Sequence, residues 1–303
     1  MWWLFPLLVV LIALLTLVRP SMRVGIVSTM KDPHQLQTWL DFHLKSGVSK
    51  VYIYWDSTEE APPGFAQDPR IFVQVLDEEF MQKNNWKENP DWDNPLRTNA
   101  KQDLAVNDAL ARKEVDYLFH IDSDELLYTP DQNIPGVIAD HATEDVDTWV
   151  IENVELAPDS ADYKNCFTEG KKFRRHGSNF VAYGNGKGCG KVGASAAFGP
   201  HRLRSTRDKP EGNLPFERIR VLHFVSCNLE EYLKKYQQYG KFKDDKWEWA
   251  KFHTKSRDEL TSCQGEECRT KARELFADRL IKPDETNLVE NPVPVESVVS
   301  VGK

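Results

Sequence analysis

The sequence contains no N-x-S/T sequon, no C-x₂-C pair and no internal repeat. Without a sequon, N-glycosylation gives no help in placing the chain. Without the paired cysteine spacing, a zinc finger or zinc ribbon is excluded. Positive charge is also short: 39 Lys and Arg stand against 47 Asp and Glu, a net charge of −8. That balance argues against a general nucleic-acid binder. Cysteine is sparse and odd in number, with five residues at 166, 189, 227, 263 and 268. At least one thiol is therefore unpaired within a monomer. Cys166 and Cys189 bracket a Lys/Gly-rich excursion, and Cys263 and Cys268 bracket a short loop. Either pair suits a disulfide in an oxidising compartment.

What is present suffices for a large core. The chain has 303 residues, 40% of them apolar and 28% charged. From Trp2 to Val18 it runs without a charge, bounded by Arg19 and Pro20. A spanning helix needs about 17–25 residues, so the run predicts a signal anchor at the short end of that range. A cleaved signal peptide is the rival reading, but there is no basic n-region and no clear small-x-small site. The expected division is an anchor over residues 1–20, a folded domain over 22–281 and a disordered tail over 282–303. Arg19, Arg23 and Lys31 follow the span, which by the positive-inside rule would face the domain to the cytosol.

Hydrophobic spacing predicts strands at Arg23 to Thr29, Lys50 to Trp55, Ile71 to Leu76 and Val115 to Ile121. It predicts helices at His34 to Ser46, ended by Gly47, and at Arg97 to Arg112. Strand–helix–strand–strand–helix–strand is an α/β pattern with a mostly parallel sheet. Further strands are expected at Thr148 to Leu156 and Arg218 to Val225. Further helices are expected at Leu229 to Gly240, capped by Asn228, and at Glu267 to Leu280. The basic, Gly-rich stretch from Tyr163 to Gly190 reads as a solvated loop or hairpin.

The segment Tyr117-Leu118-Phe119-His120-Ile121-Asp122-Ser123-Asp124-Glu125 carries the chemistry. An apolar strand runs straight into three carboxylates. Like charges packed at a strand end repel and resist desolvation, so they call for a cation. Oxygen-rich, partly open sites suit Mg²⁺ or Mn²⁺, above all with a phosphate completing the coordination. The plain alternative is a solvated acidic turn. In α/β sheets ligands bind at the carboxyl ends of strands, and Asp56 lies at another such end.

Several segments, taken in order, resemble one group of enzymes. They are Lys31-Asp32, the run W-L-D-F-H-L-K-S-G-V over Trp39 to Val48, and V-Y-I-Y-W-D-S over Val51 to Ser57. After them come Gln102 to Leu110, Phe119 to Leu126, Gly199-Pro200-His201, Leu222-His223-Phe224 and Ser226 to Lys235. Together they resemble the family 92 and family 2-like glycosyltransferases of the GT-A fold. The match covers about residues 23 to 240, although Pro33 stands where the family has Glu.

The resemblance implies a GT-A-like, Rossmann-related sheet, mixed but mostly parallel, flanked by helices and preceded by one transmembrane helix. It implies transfer of a sugar from a nucleotide-sugar, UDP-linked, to a glycan, glycoconjugate or other hydroxyl acceptor, with inversion. Mn²⁺ or Mg²⁺ would bridge Asp122, Asp124 and the diphosphate, with His223 or His201 as a further ligand. Asp56 would meet base or ribose, and Arg97, Lys101 and Gln102 would approach the diphosphate. The catalytic base is expected among Glu152, Glu155, Asp159 and Glu217, with Glu217 preferred. The family also implies a Golgi lumenal, type II location, against the charge flank. The competing readings are a catalytically inactive binding protein of the same fold and a D-x-D phosphotransferase or hydrolase. The latter wants its D-x-D on the first strand.

Overall fold

The computed structural model describes residues 22–33, 35–56, 67–84, 95–177, 180–181, 183–225, 227–239, 251–283 and 285–290. The chain opens with β1 (Val24–Met30), α1 (Leu36–Lys45), β2 (Lys50–Trp55), β3 (Ile71–Val75), α2 (Glu78–Lys83), α3 (Pro95–Arg112) and β4 (Tyr117–His120). It continues through β5 (Glu125–Tyr128), α4 (Ile134–His141), β6 (Thr148–Ile151), β7 (Asn153–Leu156), α5 (Cys166–Glu169), β8 (Lys172–Arg174) and β9 (Lys187–Lys191). Then come β10 (Ser195–Ala197), β11 (Leu203–Ser205), β12 (Glu211–Asn213), β13 (Arg220–His223), α6 (Leu229–Tyr239), α7 (Lys251–Thr261), α8 (Gly265–Ala277) and β14 (Leu288–Glu290).

The first half follows its pattern closely. β1 is Val-, Ile- and Met-rich and buried along almost its whole length, as a parallel strand covered on both faces must be. β3, β2, β1 and β4 lie side by side and parallel. α1 packs Trp39, Leu40 and Phe42 inward. It stops at Gly47, whose φ of +88° belongs to the left-handed region. A Cβ there would lie 2.9 Å from Pro135 Cδ. Asp77 caps α2 by accepting from Phe80 N at 2.8 Å, and Asn133 caps α4 by accepting from Gly136 N at 3.0 Å.

The second half corrects the expected single, mostly parallel sheet. There are three sheets: seven strands in the order β12-β6-β9-β4-β1-β2-β3, five in the order β14-β8-β7-β13-β5, and the pair β10-β11. Beyond β4 the large sheet turns antiparallel, at β4–β9 and again at β9–β6. The stretch from Thr148 to Leu156 is not one strand. It breaks at Glu152, so β6 joins the large sheet and β7 the five-stranded one. β4 and β5 make the same crossing. The acidic turn Asp122 to Asp124 is therefore the seam between two sheets.

The basic stretch is likewise not a solvated loop. It contains β8 and β9, and β9 is an interior strand. Its glycines permit a close approach: a Cβ on Gly188 would lie 2.8 Å from Leu203 N. Cys166 pairs with Cys227 rather than with Cys189, which is free and buried, while Cys263 pairs with Cys268. The separation that joins Cys166 to Cys227 is tertiary, 61 residues along the chain. Nor is the tail from residue 282 wholly without structure. β14 pairs antiparallel with β8, and Glu285 binds buried Arg174 at 2.6 Å. Residues 291–303 lie outside the described residues.

The expected membrane helix also needs correction. Its segment, residues 1–20, lies outside the described residues, and among those described no helix is long and apolar enough to cross a membrane. The single-pass Golgi location implied by the resemblance needs that helix and is withdrawn with it.

Candidate functional site

β4 brings Asp122 to the seam, beside the carboxyl end of β1. Ile121 N bonds Val27 O and Glu125 N bonds Asp122 O, closing a tight turn. β5 then runs antiparallel to β13 with Glu125 opposite His223. Phe224 N donates to Asp124 O at 2.8 Å. From the other side α1 fixes β5. Trp39 Nε1 donates to Glu125 O at 2.7 Å, and Leu127 N donates to His43 Nε2 at 3.0 Å. His43 Nδ1 then faces Trp39 O at 2.9 Å, the geometry of a neutral ring protonated at Nδ1.

The three carboxylates do not share one environment. Asp122 Oδ1 accepts from Gln102 at 3.0 Å, and Asp122 Oδ2 lies 2.5 Å from Lys187 Nζ. Glu125 is fully buried. Its Oε2 accepts from Asp122 N at 2.8 Å and stands 3.4 Å from Lys187, while Oε1 takes the Tyr183 hydroxyl. Asp124 is the open one, with a side chain 38% exposed. Its Oδ2 lies 3.5 Å from His223 Nε2 and 3.5 Å from Lys235 Nζ.

The titration behaviour follows. Burial pushes the Asp124 carboxyl up, but His223 and Lys235 outweigh it and hold it well below the usual range. For Asp122 burial also raises the value, and the Lys187 ammonium reverses it to a net lowering. Glu125 ends raised, because burial, with neighbouring Asp122 and Asp124, outweighs Lys187 and His223. Burial, then Lys187, lowers His201 to about 4. The same causes lower His120, just before the turn, to about 3. These two rings are neutral near pH 7, and both His120 nitrogens lie buried without a hydrogen-bond partner.

The expected site residues separate into groups. Asp122, Asp124, His223 and Gln102 come together at the seam. His201 reaches it through Tyr183, whose ring centroid lies 4.1 Å from that of His201 and 5.2 Å from that of His223. Asp56, at the carboxyl end of β2, holds Lys101 Nζ at 2.6 Å. Arg97 falls in α3, but its side chain lies outside the described residues. Glu217 is not brought in. It sits exposed on the turn before β13, six residues from His223 and about 20 Å away along an extended chain. Of the other base candidates, Glu152 pairs with Arg175 at 3.0 Å, Glu155 is buried with Arg279, and Asp159 accepts from Tyr163 at 2.5 Å.

Sequence reasoning missed Lys187 and Tyr183. Lys187 was one of six basic residues in a stretch that looked solvated, and nothing local marks it. Lys235 did carry a signal, as the last residue of the Ser226 to Lys235 segment.

Among the described residues no three His, Cys, Asp or Glu side chains converge as a ready-made metal cage. The donor set fits a divalent ion in part. Asp124 is open, and His223 turns its Nε2 toward it at 3.5 Å. Asp122 does not fit, because both its oxygens are engaged.

No family model matches the chain. It is 22% identical over 241 residues to a glycosyltransferase-like protein of Arabidopsis thaliana. The match spans 65% of this chain but just 46% of that protein's length. Two solved structures overlap in part. The A197 protein of STIV has 13% identity and a TM-score of 0.30, covering 67% of this chain and 86% of that one. A mycobacterial protein has 11% identity and a TM-score of 0.32, covering 74% and 76%. At those scores neither carries an argument.

Proposed function

We propose that the chain is a metal-dependent glycosyltransferase that takes a sugar from a nucleotide-sugar, UDP-linked, and passes it with inversion to a hydroxyl of a glycan or glycoconjugate. The observation that carries the reading is the acidic turn at the sheet seam, with Asp124 open beside His223 and the Asp56–Lys101 pair at the end of β2, one strand beyond β1 in the same sheet. The family 92 and family 2-like resemblance and the Arabidopsis relative support the same class.

Asp124 and His223 are the residues that would hold Mn²⁺ or Mg²⁺. Bound there, the ion would neutralise charge on the departing nucleoside diphosphate. Lys101 is held by Asp56 at the strand ends, in reach of an anionic donor group. Asp56 offers a carboxylate to ribose or base, and Lys235 adds positive charge beside Asp124. Glu217 has no part in this reading.

The test uses the purified full chain with a panel of nucleotide-sugars, with Mn²⁺ or with chelator. Metal-dependent release of a nucleoside diphosphate from one donor is expected, and Asp124→Ala should abolish it with the fold retained. Absence of both turnover and Mn²⁺-dependent thermal stabilisation by any nucleotide would overturn the enzyme in favour of a binding protein.

A further inference from the structure

We propose that Lys187 is a positioning residue, an internal cation that occupies Asp122 and Glu125 and so leaves Asp124 as the carboxylate open to a divalent ion. The inference rests on the reading of this seam as a metal and donor site. It adds which carboxylates are withheld from the ion, and by what.

The geometry is closed on one side and open on the other. Lys187 has no exposed side-chain surface. Its Nζ faces Asp122 Oδ2 at 2.5 Å, Pro200 O at 3.3 Å and Glu125 Oε2 at 3.4 Å. Of its three N–H donors, two go to Asp122 and Pro200, and Glu125 stands within ion-pair distance. With no side-chain surface open to solvent, Lys187 acts on the turn rather than on a ligand. The remaining oxygens of the two acids are also taken, by Gln102 and by Tyr183. Asp124 is held more loosely: Lys235 Nζ donates to its Oδ2 at 3.5 Å, His223 Nε2 stands at the same distance, and its side chain stays 38% exposed.

The placement is rigid. Lys187 is the first residue of β9, paired with Ile151 of β6 in the interior of the large sheet. The same ammonium holds the Pro200 carbonyl, next to His201, whose ring lies against Tyr183. One buried charge thus ties the acidic turn to the loop that carries the second expected histidine. Removing it leaves buried Glu125 and part-buried Asp122 without their cation, a state that a divalent ion relieves.

The test is Mn²⁺ binding alone, without nucleotide, read as loss of the free-Mn²⁺ electron paramagnetic resonance signal on the full chain. Lys187→Met should bind Mn²⁺ more tightly than the parent by about tenfold or more, because Asp122 becomes available. Lys187→Arg, which keeps the charge, should stay close to the parent. Should Lys187→Met fail to fold, Lys187→Met combined with Glu125→Gln removes one buried charge of each sign and still frees Asp122. Unchanged or weaker Mn²⁺ binding in the folded Met variants overturns the proposal, and so does failure of both to fold, which would make Lys187 a structural prop alone. The readout is separable from the transferase reading. Tighter Mn²⁺ binding in a chain that turns over no donor would keep the role of Lys187 and discard the enzyme.

Discussion

β1, β2 and β4 bury mostly hydrocarbon, whereas a row of charged and polar residues crosses the five-stranded sheet at matched register. Glu125 of β5 faces His223 of β13, which faces Glu155 of β7, which faces Arg174 of β8. Residues directly opposite share one face of a sheet, and all four are buried. The two regions are equally inaccessible but are held by different forces. The parallel half is stabilised by area removed from water. The charged row holds only where each group finds a partner: Glu125 with Lys187 and Tyr183, Glu155 with Arg279, and Arg174 with Glu285. The acidic turn lies where these regions meet, so it is supported on one side by packing and on the other by ion pairs.

The comparison can be broken at its strongest points first. Phe119→Ala, in the parallel half, should cost about 3–5 kcal/mol in denaturant unfolding, nearly unchanged between pH 7 and pH 5. Arg174→Met should approach the same size by another route. It leaves Glu285 unpaired, and breaking a buried pair costs about 3–5 kcal/mol. That loss should shrink in acid, where Glu285 takes a proton. Equal pH dependence of the two variants would erase the distinction.

His43→Leu is a smaller cut at the joint between α1 and β5. It removes the acceptor for Leu127 N and should cost about 1–3 kcal/mol through one unsatisfied buried donor, measured by the same denaturation. Gentler still is a titration of the parent. His43, lowered to about 3 by burial, joins His120 at about 3 and His201 and His253 at about 4, all below the ordinary 6.5. Their folded forms bind fewer protons than the unfolded chain in this window. Stability is therefore full above about pH 6.5 and falls as pH drops toward 4. Asp122 and Asp124 are also lowered, and their contribution is lost below the unfolded carboxylate value of about 3.9. Glu125, raised, works the other way and recovers some stability in acid. A stability plateau from pH 7 to pH 4 would show that the buried imidazoles are not held neutral.

Legibility followed the same divide. β2 falls at Lys50–Trp55, where its apolar, β-branched and aromatic run predicts a strand, and α1, α3 and α6 lie within a few residues of their periodicity. Asn228 caps α6 through Glu231 N at 2.9 Å, as its side chain suggests. Hydrophobic period and capping are local, so a local reading finds them. β9 reads K-G-C-G-K, with the composition of a loop, and is a strand because the β10–β11 hairpin needs glycine beneath it. β14 consists of three residues that only β8 makes a strand.

By itself, the sequence determined an α/β chain with a parallel first half and a carboxylate-rich strand end at Asp122 to Glu125. Strand period and the cost of packed charge are written in neighbouring residues. Only the tertiary structure decided which carboxylate is open. Lys187 lies 65 residues beyond Asp122 in the chain and 2.5 Å from it in space. The division of sheets at Glu152, the Cys166–Cys227 bridge and the removal of Glu217 from the site have the same origin. Each is fixed by a distance between segments, and no local pattern encodes it.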